Sequence, residues 1–362
     1  MLVRRRGSPR SALGLAGLAF ALLAAGCGVS AHRQRDSAPL PPLPIDRIRG
    51  ITYLVDEPLS AYLHDAKDAL PDLRAAGFNT VWLVLPWWEL EPRPLDDPPA
   101  WDEDGFGRLR ALLDAIAARR MHAIVGLDYL GRGWSPEGID PCGWVAQPRM
   151  ERAFEDYVRG FLERIRGYDD VVFPLLFTET ALPCSHPYAR AVSSAATLRR
   201  TLGSLPSRLP RGLRAAFRIG YHDNTLINLG WADGRSPIAS PREFDFLSFT
   251  AYGLERESRT GIARALAARV GRFRALYPRV PLLIGELGAS RCAGGAANQA
   301  RVDVAIVSWA LRHRFGFNVW HWRPVRDEDT CRVGASRALS LTSARGKPEP
   351  ALRAVERLLG AR

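Results

Sequence analysis

From Gly50 onward, short apolar runs alternate with longer amphipathic stretches eight times, and that rhythm admits few architectures. The strand-like runs are Ile51 to Val55, Thr80 to Leu85, Ala123 to Tyr129, Val171 to Thr178, Ala216 to His222, Phe244 to Tyr252, Pro281 to Glu286 and Phe317 to Trp322. The helical patterns that follow them are Ala61 to Ala76, Phe106 to Arg120, Met150 to Tyr168, Tyr188 to Leu202, a short weak segment near Asn224, Gly261 to Tyr277, Ala296 to Phe315 and Ala351 to Leu359. Eight such units predict a single (β/α)8 barrel of the α/β class. A doubly wound sheet is the competing architecture, but the first strand lacks the glycine-rich phosphate turn that such sheets use. No long linker divides the set, so one domain is expected.

The N-terminus obeys a different logic. Arg4, Arg5, Arg6 and Arg10 precede an apolar stretch from Ala12 to Ala25, followed by Gly26 and Cys27. A basic start, an apolar middle and small residues at the end are the layout of an export signal, and the stretch is short for a membrane span. Leu23-Ala-Ala-Gly-Cys27 resembles the lipobox of bacterial lipoproteins, which implies acylation of Cys27. The proline-rich run Ala38 to Pro44 reads as an extended tether. The expected organisation is a signal peptide at 1–26, a flexible tether at 27–45 and a barrel at 46–362. The protein would be exported and anchored to a membrane, on the periplasmic side or the cell surface.

The formal charge of +12 raises nucleic acid as a partner. Only Lys67 and Lys347 are lysines, however, and the arginines are scattered over helix surfaces without forming a stripe. No helix-turn-helix, zinc-finger or single-strand-binding pattern accompanies them, so nucleic acid is not expected.

Two strand ends carry carboxylates. The seventh run, "PLLIGELG" from Pro281 to Gly288, delivers Glu286 out of an apolar segment, and the fourth ends in "FTET" with Glu179. An unpaired buried carboxylate is expensive, so a glutamate closing such a run belongs at the strand's mouth and has a task there. In a barrel of eight, strands four and seven lie across from one another, and the active face is at the strands' C-terminal ends. Two facing carboxylates suit glycoside cleavage: one protonates the leaving oxygen, the other meets the developing oxocarbenium ion.

These motifs resemble the clan A glycoside hydrolases, retaining (β/α)8 enzymes that include cellulases, β-mannanases and galactanases. "GFNTVWLVLPWWELEP" is similar to the clan's second strand and loop, "FDFLSFTAYG" to its sixth strand and "FGFNVWHW" to its eighth. The resemblance implies that Glu179 is the acid/base, Glu286 the nucleophile and Tyr252 the nucleophile's hydrogen-bond partner. It also implies that Trp320, or alternatively Trp322, stacks under the sugar. Two positions depart from the pattern. Thr178 stands where most of the clan has the asparagine that binds the sugar's 2-hydroxyl, and Trp82 stands where many members have arginine.

Further residues fall in loops expected at the active face. Trp87 and Trp88 after strand two would offer aromatic faces to pyranose rings. Asp128 after strand three and His222 at the end of strand five are candidate contacts to hydroxyl groups. Cys142, Cys184, Cys292 and Cys331 follow strands three, four, seven and eight. Adjacent loops favour the disulfides Cys142–Cys184 and Cys292–Cys331 among three pairings, with a zinc site from the same four as the alternative. No metal motif occurs, and the chemistry calls for neither metal nor cofactor. The reading is a monomeric retaining glycosidase acting on a β-linked oligosaccharide or polysaccharide. The alternatives are a glycan-binding barrel without catalysis, and a transglycosylase using the same residues.

Overall fold

The computed structural model describes residues 38–54, 58–127, 148–176, 204–222, 243–323, 338–343 and 346–360. Among them, eight parallel strands close into one barrel in chain order. The strands are β1 Arg49–Leu54, β2 Thr80–Val84, β3 His122–Gly126, β4 Val172–Leu176, β5 Gly220–His222, β6 Phe246–Ala251, β7 Leu282–Leu287 and β8 Gly316–Val319. Closure comes from β1 pairing with β8 through Arg49↔Phe317, Gly50↔Asn318 and Ile51↔Val319. The described helices are α1 Leu59–Ala75, α2 Glu103–Ala118, α3 Pro148–Arg164, α4 Leu205–Arg208, α5 Arg211–Ala216, α6 Arg259–Leu276, α7 Gly295–Arg312 and α8 Pro350–Leu359. None of them is long and apolar enough to cross a membrane.

The predicted barrel is the observed one, and most strand limits differ by only one or two residues from those read in the sequence. The fifth strand differs more. Ala216, expected to open it, ends α5, and β5 is only Gly220–His222. Pro210 is the N-cap of that helix. Asp245 then fixes the chain's entry into the sheet, accepting the Ile219 N–H at 2.8 Å and pairing with Arg214 at 2.9 Å.

Alternate residues along each strand face opposite ways. Trp82, Val84, Ile124, Phe173, Leu175, Phe246 and Leu283 meet inside the barrel. Val81, Leu83, Ala123, Val125, Leu247, Phe249, Ile284 and Phe317 pack outward into the core shared with the helices.

The barrel's N-terminal end is closed by the segment before β1. Ile45 and Ile48 join the interior cluster, with Leu43 packed against it. Leu40 is also buried and its N–H donates to Asp170. Arg218 donates to the Leu43 carbonyl at 2.8 Å and lies over the Phe173 ring. The packed body therefore reaches back to Leu40, inside the stretch read as tether. The prolines hold this strap extended, and the apolar residues between them cover an otherwise open barrel end.

Candidate active site

Glu286 sits in the last turnings of β7, whose apolar neighbours hide its parity from sequence inspection. The pairing reveals it. Ser248 opposes Leu283 and Phe249 opposes Ile284, but Thr250 opposes Glu286, so Gly285 is an extra residue in the ladder. The pairing with β8 shifts at the same place, between Ile284 and Leu287. Leu283 faces inward and Ile284 and Leu287 outward. Skipping Gly285 thus puts Glu286 on the inward parity of Ser248 and Thr250, where it is 2% exposed. A bulge that re-aims one side chain beside a functional site is a recurrent device of sheets.

Glycine is required at the bulge by space. A Cβ on Gly285 would stand 1.7 Å from Ser248 Oγ and 3.1 Å from His222 Nδ1. Those two atoms are 2.8 Å apart and hydrogen-bonded. Full burial drives the His222 pKa down to about 3, because the low-dielectric interior disfavours the imidazolium. The ring is therefore neutral, with Ser248 occupying one nitrogen. Its Nε2 has no hydrogen-bond partner among the described residues.

An aromatic floor adjoins this pair. Trp82 from β2 meets His222 edge-on at 5.7 Å and Trp320 at 6.4 Å and 87°. Trp82 is fully buried, and its indole N–H also has no partner among the described residues. Where the resembling enzymes place an arginine, this chain offers a neutral N–H donor. Trp320 is partly exposed, lies just past β8 and is followed by a cis peptide to His321. Asn318 donates to Thr52 Oγ1 at 2.7 Å, tying β8 to β1 beneath it.

Tyr252 follows β6 and is partly exposed. Its ring lies over Gly288, where a Cβ would stand 3.6 Å from Tyr252 Cε1 and 2.9 Å from the Trp320 carbonyl oxygen. From outside, Arg269 of α6 donates to the Thr250 and Tyr252 carbonyls at 3.2 and 2.9 Å, clamping the strand end. The loop after β7 is held by Glu255, which accepts the Ser290 N–H at 3.2 Å.

The structure thus gathers Glu286, Tyr252, His222 and Trp320 at one end of the barrel. Trp88 is 42% exposed beyond β2, whereas Trp87 is placed elsewhere. Its ring packs on Phe154 and Tyr157 of α3, and its Nε1 donates to Glu91 at 2.7 Å. Trp87 is 1% exposed and has no face to offer a sugar. Trp322, 7% exposed, joins the outer core, which leaves Trp320 as the better platform. Asp128, Thr178, Glu179, Cys27, Cys142, Cys184 and Cys331 lie outside the described residues. Cys292 is in the loop after β7, with its N–H donated to Ser290 Oγ at 3.1 Å. No group of metal-binding side chains occurs among the described residues. Sequence reasoning missed Ser248, Thr250 and Asn318. Their signal was available as polar residues at alternate positions of otherwise apolar strands.

No family model and no curated protein matches the sequence. Among solved structures, a GH5_18 protein from Streptomyces cattleya, in complex with Manβ1-4GlcNAc, has TM-score 0.64 and 17% identity over 86% of this chain and 79% of its own. A GH5_18 protein from Bifidobacterium longum subsp. infantis has TM-score 0.67 and 15% identity, covering 86% and 78%. An exo-β-1,4-mannosidase from Opitutaceae bacterium strain TAV5 has TM-score 0.63 and 21% identity, covering 86% and 59%. At such identities the likeness is one of fold.

Proposed function

We propose that this chain is a retaining glycosidase that cleaves β-linked oligosaccharide or polysaccharide, with Glu286 as nucleophile and Glu179 as acid/base. The observation that carries the reading is the bulge at Gly285, which turns one carboxylate into the C-terminal mouth of a (β/α)8 barrel, where this fold assembles its chemistry. Glu179 lies three positions past the end of β4 and shares the sequence parity of the inward Phe173 and Leu175. That parity supports a second carboxylate facing the same opening.

In the first step Glu179 gives its proton to the glycosidic oxygen as the bond to the anomeric carbon breaks, and a Glu286 oxygen bonds to that carbon from the opposite face. In the second step Glu179, now a base, takes a proton from water, the water oxygen attacks the anomeric carbon, and Glu286 leaves as carboxylate. Trp320 supports the sugar's apolar face. Neutral His222 and the Trp82 N–H provide polar contacts at the floor without adding charge beside the nucleophile. A β-mannoside is the preferred substrate in this reading, supported by the mannosyl ligand and the mannosidase among the similar structures.

Export as a lipoprotein acylated at Cys27, the disulfides Cys142–Cys184 and Cys292–Cys331, and action as a monomer complete the proposal, supported by the leader and the loop positions of the cysteines. The test uses an aryl β-mannoside. The wild type is expected to release product of retained anomeric configuration, followed by proton NMR, and Glu286→Gly to be inactive until azide restores turnover as the inverted glycosyl azide. Inverted sugar from the wild type, or undiminished turnover by Glu286→Gly, refutes the assignment.

A further inference from the structure

The barrel's N-terminal end, opposite the mouth, collects exposed arginines. Arg47 precedes β1, Arg120 precedes β3, Arg166 precedes β4, Arg279 precedes β7, and Arg312 and Arg314 precede β8; all are exposed. In a closed parallel barrel every such connection comes to the same end. None of the six makes an ion pair among the described residues. Of the acids there, Asp72, Glu163 and Asp169 are exposed, while Asp46, Asp170, Glu243 and Asp245 are partly buried. Asp170 accepts the Leu40 N–H, and Asp245 is bound to Arg214 and Ile219.

Two of the arginines are held against backbone preference. Arg120 and Arg314, just past α2 and α7, have φ of 54° and 57°. That left-handed conformation normally falls to glycine or asparagine after a helix. Arginine thus stands at equivalent places after both helices.

The strap from Leu40 to Ile48 enters the fold at this same end. Only residues 28–37 separate Cys27 from Ala38, a span of at most about 40 Å when extended. We propose that the arginine face docks on the anionic headgroups of the bilayer to which Cys27 is anchored. The barrel's mouth then opens away from the membrane, toward soluble glycan. Cationic side chains of a tethered body are drawn to an anionic leaflet within a Debye length of its surface. The identity of the surface rests on the anchoring reading, whereas the charge pattern stands without it.

The test takes the chain without its signal peptide and Cys27, residues 28–362, through sedimentation with phosphatidylcholine vesicles with and without phosphatidylglycerol. Binding is expected only with phosphatidylglycerol and is expected to be released by salt. The triple variant Arg120→Asn, Arg166→Gln, Arg314→Asn should bind roughly a hundredfold more weakly, about fivefold per charge; asparagine suits the left-handed positions, so the fold is retained. A control of equal charge change near the mouth, Arg256→Gln, Arg259→Gln, Arg264→Gln, should bind as the wild type does. Binding indifferent to phosphatidylglycerol, or equal losses in both triple variants, overturns the proposal. Failure of Cys27 to take up labelled palmitate in cells would refute the anchor alone and leave the vesicle result standing.

Discussion

Replacing Gly285 by alanine isolates the feature that aims Glu286, the proposed nucleophile. The glycine's φ is not in the left-handed region, so alanine meets no backbone objection, and the whole effect comes from its Cβ. That atom would stand 1.7 Å from Ser248 Oγ, inside any possible contact, and 3.0 Å from Ser248 Cβ. Relief requires β6 and β7 to part or Ser248 to rotate off His222. Overpacking of this kind costs about 1–3 kcal/mol, and losing the His222–Ser248 hydrogen bond adds about 1 kcal/mol. The expected loss of about 2–4 kcal/mol is readable as a lower urea midpoint at unchanged slope. Turnover should fall with it, because the strand pair that positions Glu286 is displaced. The companion variant Ser248→Gly removes both clashing atoms. Combining the two should cost less than their sum by about 1–3 kcal/mol, a coupling that independent sites do not show. An additive double mutant, or Gly285→Ala within about 0.5 kcal/mol of wild type, refutes the argument that this glycine exists to admit the Ser248–His222 pair.

Three further outcomes follow from buried groups. His222, neutral down to about pH 3 in the fold, is matched in the unfolded chain by a group titrating near 6.5. The unfolded state therefore binds more protons between those values, and stability falls on acidification through that window by up to about 1.4 kcal/mol per pH unit. Urea unfolding at about pH 4.5 and about pH 7 checks this, and His222→Asn should flatten the slope. Glu91 behaves oppositely. Burial pushes its pKa from 4.5 to about 8, so the folded state holds the extra proton and stability falls as pH rises across that interval. Glu91→Gln preserves an acceptor for Trp87 and should therefore exceed the wild type by about 2–4 kcal/mol near pH 8 while matching it near pH 5. Ile45→Ala, at the plugged end of the barrel, should cost about 2–5 kcal/mol by leaving a cavity. The kcat of the proposed glycosidase reaction should be unchanged, since Glu286 and its neighbours are at the opposite end.

The barrel and the strand of Glu286 were legible in the chain, and the misses have physical causes. Trp87 and Trp88 are adjacent and look alike in sequence, yet Glu91 draws one into the core while the other stays exposed. The strap from Leu40 to Ile45 has the composition of a tether. Nothing local in it declares that an open barrel end is waiting to be covered. The arginines, scattered along the sequence, share one face only because the connections entering five strands of a closed sheet come to the same end.

By itself the sequence determined the order of the strands and the strand that carries Glu286, because hydrophobic periodicity is a local property. Only the tertiary structure decided that Glu286 points inward. In β7 the residues before Glu286 are all apolar or glycine and show no polar alternation to read, and its register is set by hydrogen bonds to β6 and β8, whose residues lie tens of positions away along the chain.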